Sequence, residues 1–294
     1  MSRAQGWLAR AAEIAVTAVA LAAFIVLLIF VRGRTGPLPA GAQLPTEPAA
    51  RLAAAAALLE VSTAAGRPGY TFEIVQRSTI TARPGGPKIE IPDPTDRSKS
   101  LGLADTYDVG ALIERGAVTP DGFWMEMRTG PAAGKDPDWT SAYQFGAISK
   151  GGATFRNDGV GWYATDNPPG IGLDPRTAAL LPRLLRSATE ATDGSARPVT
   201  GPSTAAVRAK AAVKDIPGLI ASDGAPFTEL VEPVDFAFDD QGRLIHLRVV
   251  ARNTNLDVYD LLVDTTITFA YPATAAALPE PVPARPASAD VVTK

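Results

Sequence analysis

The pattern of apolar and polar positions divides the chain into one long apolar run and a series of short alternating ones. Ile14 to Val31 reads IAVTAVALAAFIVLLIFV, with Thr17 as its only polar side chain. At about 1.5 Å per residue this run reaches roughly 27 Å, and Ala11 and Ala12 extend it, which predicts a helix that crosses a bilayer. Trp7 is placed for one interface. A cleaved signal peptide is the competing reading, and Ala40-Gly41-Ala42 has the small-residue form of a cleavage site. The run is longer than a signal-peptide core of about 7–15 residues, however, and Arg32 and Arg34 follow it directly, so the pattern favours an uncleaved anchor. Arg3 and Arg10 at one end nearly balance Arg32 and Arg34 at the other. The short head before a first apolar segment sets the orientation: N-terminus inside, a single pass through the plasma membrane, and the rest of the chain extracytoplasmic.

Beyond the anchor the punctuation changes. Residues 32–48 carry Gly33, Gly36, Pro37, Pro39, Gly41, Pro45 and Pro48, the composition of a semi-rigid spacer. Thr46 is placed to cap a helix with Pro48 near its first position, and Ala49 to Thr63 is strongly helix-forming up to a stop at Gly66. Tyr70, Phe72 and Ile74 then alternate with Thr71, Glu73 and Val75, predicting a strand. Residues 83–100 read as a proline- and charge-rich loop, in which Asp93 and Asp96 are solvated turn residues rather than metal ligands. Phe123 to Arg128, Tyr143 to Ile148 and Ala153 to Arg156 alternate again, and Asp158-Gly159 is a hairpin dipeptide leading into Val160 to Tyr163. Asp174 and Pro175 open a helix whose Leu180, Leu181, Leu184 and Leu185 form one apolar stripe, with Pro182 inside it as a kink. Lys210 to Gly224 fits neither period. Val234, Phe236 and Phe238 alternate, Asp240-Gln241-Gly242 turns the chain, Leu244 to Val250 returns, and Tyr259 to Phe269 gives a further strand or two. From Pro272 the chain is rich in proline and alanine and reads as disordered. The organisation predicted is a cytoplasmic head 1–13, an anchor 14–31, a linker 32–48, a domain 49–271 and a tail 272–294. The class is α+β: a transmembrane helix, then an antiparallel sheet with helices.

Composition narrows the chemistry. Hydrophobic residues make up 46% and charged residues 20%, so a chain of 294 residues has ample core. A net charge of -3 is a poor match to a phosphate backbone, which argues against nucleic acid as a partner. No cysteine is present, so disulfides, zinc–thiolate sites, cysteine nucleophiles and a lipidated cysteine are all excluded. His246 is the only histidine, and it falls in a predicted strand two residues from Arg248, where a sheet-surface role is the simpler reading than a catalytic base. No Gly-x-Ser-x-Gly, Walker loop or Gly-x-Gly-x-x-Gly occurs. A two-carboxylate hydrolase leaves no linear signature, and nothing raises it here. The expectation is a protein without catalysis, cofactor or metal.

The order of elements resembles a known family. An N-terminal helix precedes antiparallel strands; a hairpin carries Asn157-Asp158-Gly159-Val160-Gly161-Trp162-Tyr163; a leucine-rich helix follows; then come Pro233-Val234-Asp235-Phe236-Ala237-Phe238-Asp239-Asp240-Gln241-Gly242-Arg243-Leu244 and the strand Thr265 to Phe269. Over residues 48–275 this is similar to the LolA-like superfamily, and most to its LppX/LprG-type branch. The resemblance implies a curved antiparallel half-barrel around helices, with acyl chains or lipoproteins held in the apolar space between. The chain departs from that branch in having a predicted transmembrane helix where a lipobox cysteine would stand, which sets local lipid handling or sensing above long-range shuttling.

On that reading the pocket lining would come from Phe72, Ile74, Trp124, Phe145, Phe155, Trp162, Leu181, Leu184, Phe236, Phe238 and Phe269, with Tyr143 on the same face. An apolar lining needs no polar motif, because burying an acyl chain is worth about 0.8 kcal/mol per methylene. The partners expected are the membrane and a lipid acyl chain or lipoprotein; the oligomeric state is not set by the pattern. The reading from a different class is an interaction or envelope-sensor module with a filled core and no ligand.

Overall fold

The first strand of the domain is the centre of its sheet. The computed structural model describes residues 44–93, 98–130, 145–159, 161–165, 180–194, 205–212, 216, 231–253, 258–280 and 284–285. All of them belong to the compact unit Gln43–Lys294. The predicted transmembrane segment lies outside the described residues, and among the described residues no helix is long and apolar enough to cross a membrane.

Helix α1 spans Pro48–Ser62 and places Leu52, Ala55, Ala56 and Leu59 in the core. Pro48 opens it as expected, since a first-turn residue has no N–H bond to lose. The cap differs from the prediction: Glu47 holds that position without a side-chain bond, while the Thr46 carbonyl accepts from Arg51 Nη2 at 2.7 Å.

Strand β1, Tyr70–Ala82, follows. Gly69 joins the two elements with φ +77°, and a Cβ there would stand 2.0 Å from the Val118 carbonyl oxygen. Gly69→Ala should therefore destabilise the domain by about 2 kcal/mol or more, read as a lower urea midpoint at unchanged slope.

The residues predicted as a loop between 83 and 100 include β2, Ile89–Pro92, which pairs with β3, Ser100–Ala104, as a separate two-stranded sheet. Strand β4, Thr106–Thr119, is the longest, and it was not apparent from the sequence. It is buried on both faces toward its C-terminal end, with Ile113 and Ala117 on one side and Glu114 and Val118 on the other, so it carries no clean alternation. Strands β5 (Gly122–Gly130), β6 (Phe145–Lys150), β7 (Ala153–Asp158) and β8 (Trp162–Ala164) continue the meander.

The described part of helix α2 is Leu180–Ser187; Asp174 and Pro175, expected to start it, lie outside the described residues. Arg186 donates to the Glu60 carboxylate of α1 through Nη1 and Nη2 at 2.7 and 2.5 Å, and so sets the helix pair in register. The pair is exposed and adds little stability. The second half of the sheet comprises β9 (Thr189–Asp193), β10 (Ala205–Ala212), β11 (Val231–Phe238), β12 (Leu244–Asn253) and β13 (Tyr259–Ala270). Strand β10 escaped detection because Val207 is its only apolar residue other than alanine, a poor strand former that reads as helix.

With a last strand β14 (Ala284–Arg285), the order among the described residues is β14-β8-β7-β6-β5-β4-β1-β13-β12-β11-β10-β9, a twelve-stranded sheet, curved but not closed. Neighbours pair antiparallel except at β14, which runs parallel to β8. That strand lies in the stretch expected to be a disordered tail. Residues between β13 and β14 also hold contacts: Lys150 forms an ion pair with Glu280, and Leu278 lies beside Gly122.

The Asp-x-x-Gly-Arg-Leu sequence is a turn device. Asp239 Oδ1 accepts from the backbone N–H groups of Gln241 and Arg243 at 3.0 and 2.8 Å, its Oδ2 accepts from Arg243 Nε at 2.7 Å, and Gly242 adopts φ +78°. The Arg243 guanidinium lies 4.7 Å from the centre of the Tyr271 ring, and the Tyr271 hydroxyl donates to the Leu244 carbonyl at 2.9 Å. Asp239, Gly242, Arg243 and Leu244 thereby close the β11–β12 hairpin and fix the end of β13.

Candidate ligand-binding face

Register decides which face each side chain occupies, because residues directly opposite one another in adjacent strands point the same way. Phe72 pairs with Phe269 and Gly116, and Ile74 with Ile267 and Glu114. Gly116 pairs in turn with Met125 and Val118 with Phe123; Met125 pairs with Ala147. On the other side Ile267 pairs with Leu247, Leu247 with Phe236 and Phe236 with Val207. These residues form one inner face, and with Leu52, Leu59, Leu181, Leu184 and Leu185 of the two helices they make one buried cluster. The Phe72 ring occupies the space over Gly116, where a Cβ would come within 2.8 Å of it.

The predicted lining residues split between the two faces. Phe72, Ile74, Phe145, Leu181, Leu184, Phe236, Phe238 and Phe269 are brought together in the inner cluster. Trp124, Phe155 and Trp162 are not. Trp124 pairs with Ala117 and Ile148, Phe155 with Ile148 and Ala164, and Trp162 with Asn157, which puts all three on the outer face. There the Trp162 ring covers Gly146, whose Cβ would stand 3.2 Å from it. The error is one of parity: both Phe123 and Trp124 are large and apolar, and a one-residue shift exchanges the faces. Tyr143 lies outside the described residues. Sequence reasoning missed Tyr70, Phe123 and Met125 on the inner face, all within 2% of full burial.

The inner face is not uniformly apolar. Gln76, two residues beyond Ile74, is 5% exposed, and Thr265, directly opposite it on β13, is 0% exposed. Glu114 is 1% exposed and sits diagonal to Gln76, opposite Ile74 and Met127. Gln76 Oε1, both carboxyl oxygens of Glu114 and Thr265 Oγ1 are buried without a hydrogen-bond partner among the described residues. Burial pushes the Glu114 carboxyl up from 4.5 to about 7. Nothing in the sequence marks these residues unless β4 is recognised and its inward parity assigned.

His246 is remote from this patch, opposite Ala237 and Thr268 on the outer face. Burial, then the Arg248 charge, hold it below its usual range, against a smaller opposing effect from Asp235. Arg248 itself is clamped by Asp264 at 3.0 and 2.7 Å. Asp93, expected as a turn residue, donates its backbone N–H to the Lys99 carbonyl at 2.9 Å, and Asp96 lies outside the described residues. Among the described residues no three His, Asp or Glu side chains gather as metal ligands would.

No family model matches the chain, and no curated protein does. Among solved structures it is similar to LprF from Mycobacterium bovis, with 10% identity, a TM-score of 0.45, and 81% of this chain covering 99% of that one. It is also similar to lipovitellin, in a structure of its lipid–protein interactions, with 10% identity, a TM-score of 0.25, and 72% of this chain covering 26% of that one.

Proposed function

We propose that the domain binds a lipid or lipoprotein by its acyl chains along the inner face of the sheet, and that the N-terminal segment tethers it to the plasma membrane with the domain outside. The observation that carries the reading is a mismatch in width. Each of eight neighbouring strands, β6-β5-β4-β1-β13-β12-β11-β10, contributes apolar residues to the inner cluster. At about 4.8 Å per strand that face is roughly 34 Å wide. The two described helices have 15 and 8 residues, pack chiefly on each other and meet the sheet mainly at β9 and β10. A helix pair covers about 20 Å. A buried apolar face wider than the two described helices suits a guest made of methylenes. The sequence resemblance points to the same class of guest. The reading is non-catalytic: the lone histidine is on the face away from the buried patch, and its Nδ1 has no hydrogen-bond partner among the described residues.

The test is to purify the full chain in a mild non-ionic detergent and examine it by native mass spectrometry and organic extraction. The expected result is a lipid at one copy per chain. A bare protein mass, with no uptake from anionic vesicles, would overturn the reading. A second reading is favoured by a different feature: Leu101 and Leu103 on β3 are 64% and 66% exposed, and Val109 on β4 is 51% exposed. An envelope-interaction module with a filled core would use such a surface, and Leu101→Ser with Leu103→Ser would then weaken partner capture and leave lipid content unchanged.

A further inference from the structure

Resting on the lipid reading, we propose that Gln76, Glu114 and Thr265 form an internal polar subsite that accepts hydrogen bonds from the hydroxyl-bearing end of the bound lipid. Three strands converge to make it: β4 supplies Glu114, β1 supplies Gln76 and β13 supplies Thr265, with Gln76 and Thr265 directly opposite and Glu114 one diagonal step away. A diagonal step across antiparallel strands is about 7–8 Å at the backbone, within reach of a Glu and a Gln side chain.

The three residues present the same deficit. Four oxygens are buried with no partner among the described residues, and each can accept a hydrogen bond. A buried polar atom left unpaired is costly, and native chains keep such atoms where another molecule completes them. Gln76 and Thr265 are easily replaced by apolar residues of the same shape, so their presence in the middle of an apolar face points to use. The complement must include a donor for Gln76 Oε1, and the Thr265 hydroxyl and Glu114 carboxyl can accept as well. Carboxylate, phosphate and ester groups offer acceptors alone, which the Thr265 hydroxyl and a protonated Glu114 can use but Gln76 Oε1 cannot, so they do not fit. An alcohol does, and so does a polyol, since neither demands a buried counter-charge. The apolar residues flanking the patch, Ile74, Met127 and Val263, suit the hydrocarbon that follows.

The experiment compares two probes that differ in one hydroxyl proton: dioleoylglycerol and its 3-O-methyl ether, each offered to the full chain in detergent and counted by native mass spectrometry. The intact chain should prefer the alcohol by about tenfold. In the double variant Glu114→Met, Thr265→Val the preference should vanish, with the ether retained as well as the alcohol. Should that variant fold poorly, Glu114→Gln alone, which keeps shape and one acceptor, should show a reduced preference. Equal binding of both probes by the intact chain overturns the subsite and leaves the lipid reading standing. Binding of neither overturns both. A preference for dioleoylphosphatidylethanolamine over the alcohol would identify a cation as the donor and overturn the hydroxyl assignment.

Discussion

Leu184→Asp leaves the domain unfolded. Leu184 is fully buried on α2 within the inner-face cluster. Removing it forfeits about 2–3 kcal/mol of apolar burial. The new carboxylate adds several kcal/mol more, because it would stand within the buried apolar cluster. Together these match the whole stability of an ordinary domain. Circular dichroism should lose its strand signal, and limited proteolysis should cleave throughout the sheet. Arg183→Asp, one residue earlier and exposed, should change stability by no more than about 0.5 kcal/mol. If Leu184→Asp folds and merely loses lipid, α2 is a movable lid rather than part of the core.

The second large effect is a pH dependence that belongs to Glu114. Its carboxyl is raised from 4.5 to about 7 in the folded chain by burial. Between those values the folded state keeps a proton that the unfolded state has released, so stability falls as pH rises. The contribution is fully present below 4.5 and is lost as pH passes through about 7. A tenfold change in proton affinity is worth about 1.4 kcal/mol, so the loss is on the order of 3 kcal/mol. Glu114→Gln, which cannot ionise, should match the parent at about pH 4 and exceed it at about pH 8. Thermal midpoints of the two proteins across that range are the measurement. Parallel curves would mean that the carboxyl is solvated or paired in the folded chain.

Much of the architecture was legible. The alternation in β1, β5, β11 and β12 and the proline-led start of α1 announce themselves, because each has one wet face and one dry face. What failed has a physical cause in each case. β4 is dry on both faces, so it has no period to detect. β10 is built of alanine. The hairpin of β2 and β3 hides among prolines. In the candidate site, Phe72, Ile74 and Phe236 were found by alternation alone. Trp124, Phe155 and Trp162 were assigned to the wrong side, since size and hydrophobicity do not record parity. Glu114 and Gln76 were invisible because a polar residue in a strand is read as facing water until its neighbours are known.

The placement of β1 between β4 and β13 has a consequence for synthesis of the chain. Thr71 and Ala270 are partners 199 residues apart. As the chain emerges, β1 can acquire its β4 neighbour early, but its other edge stays open until almost the whole domain has been made. For that interval Phe72 and Ile74 lie on a strand with unpaired backbone, the condition under which chains associate edge to edge. A product ending before Tyr259 would keep that edge permanently, and should be recovered in aggregates rather than as a shortened soluble domain.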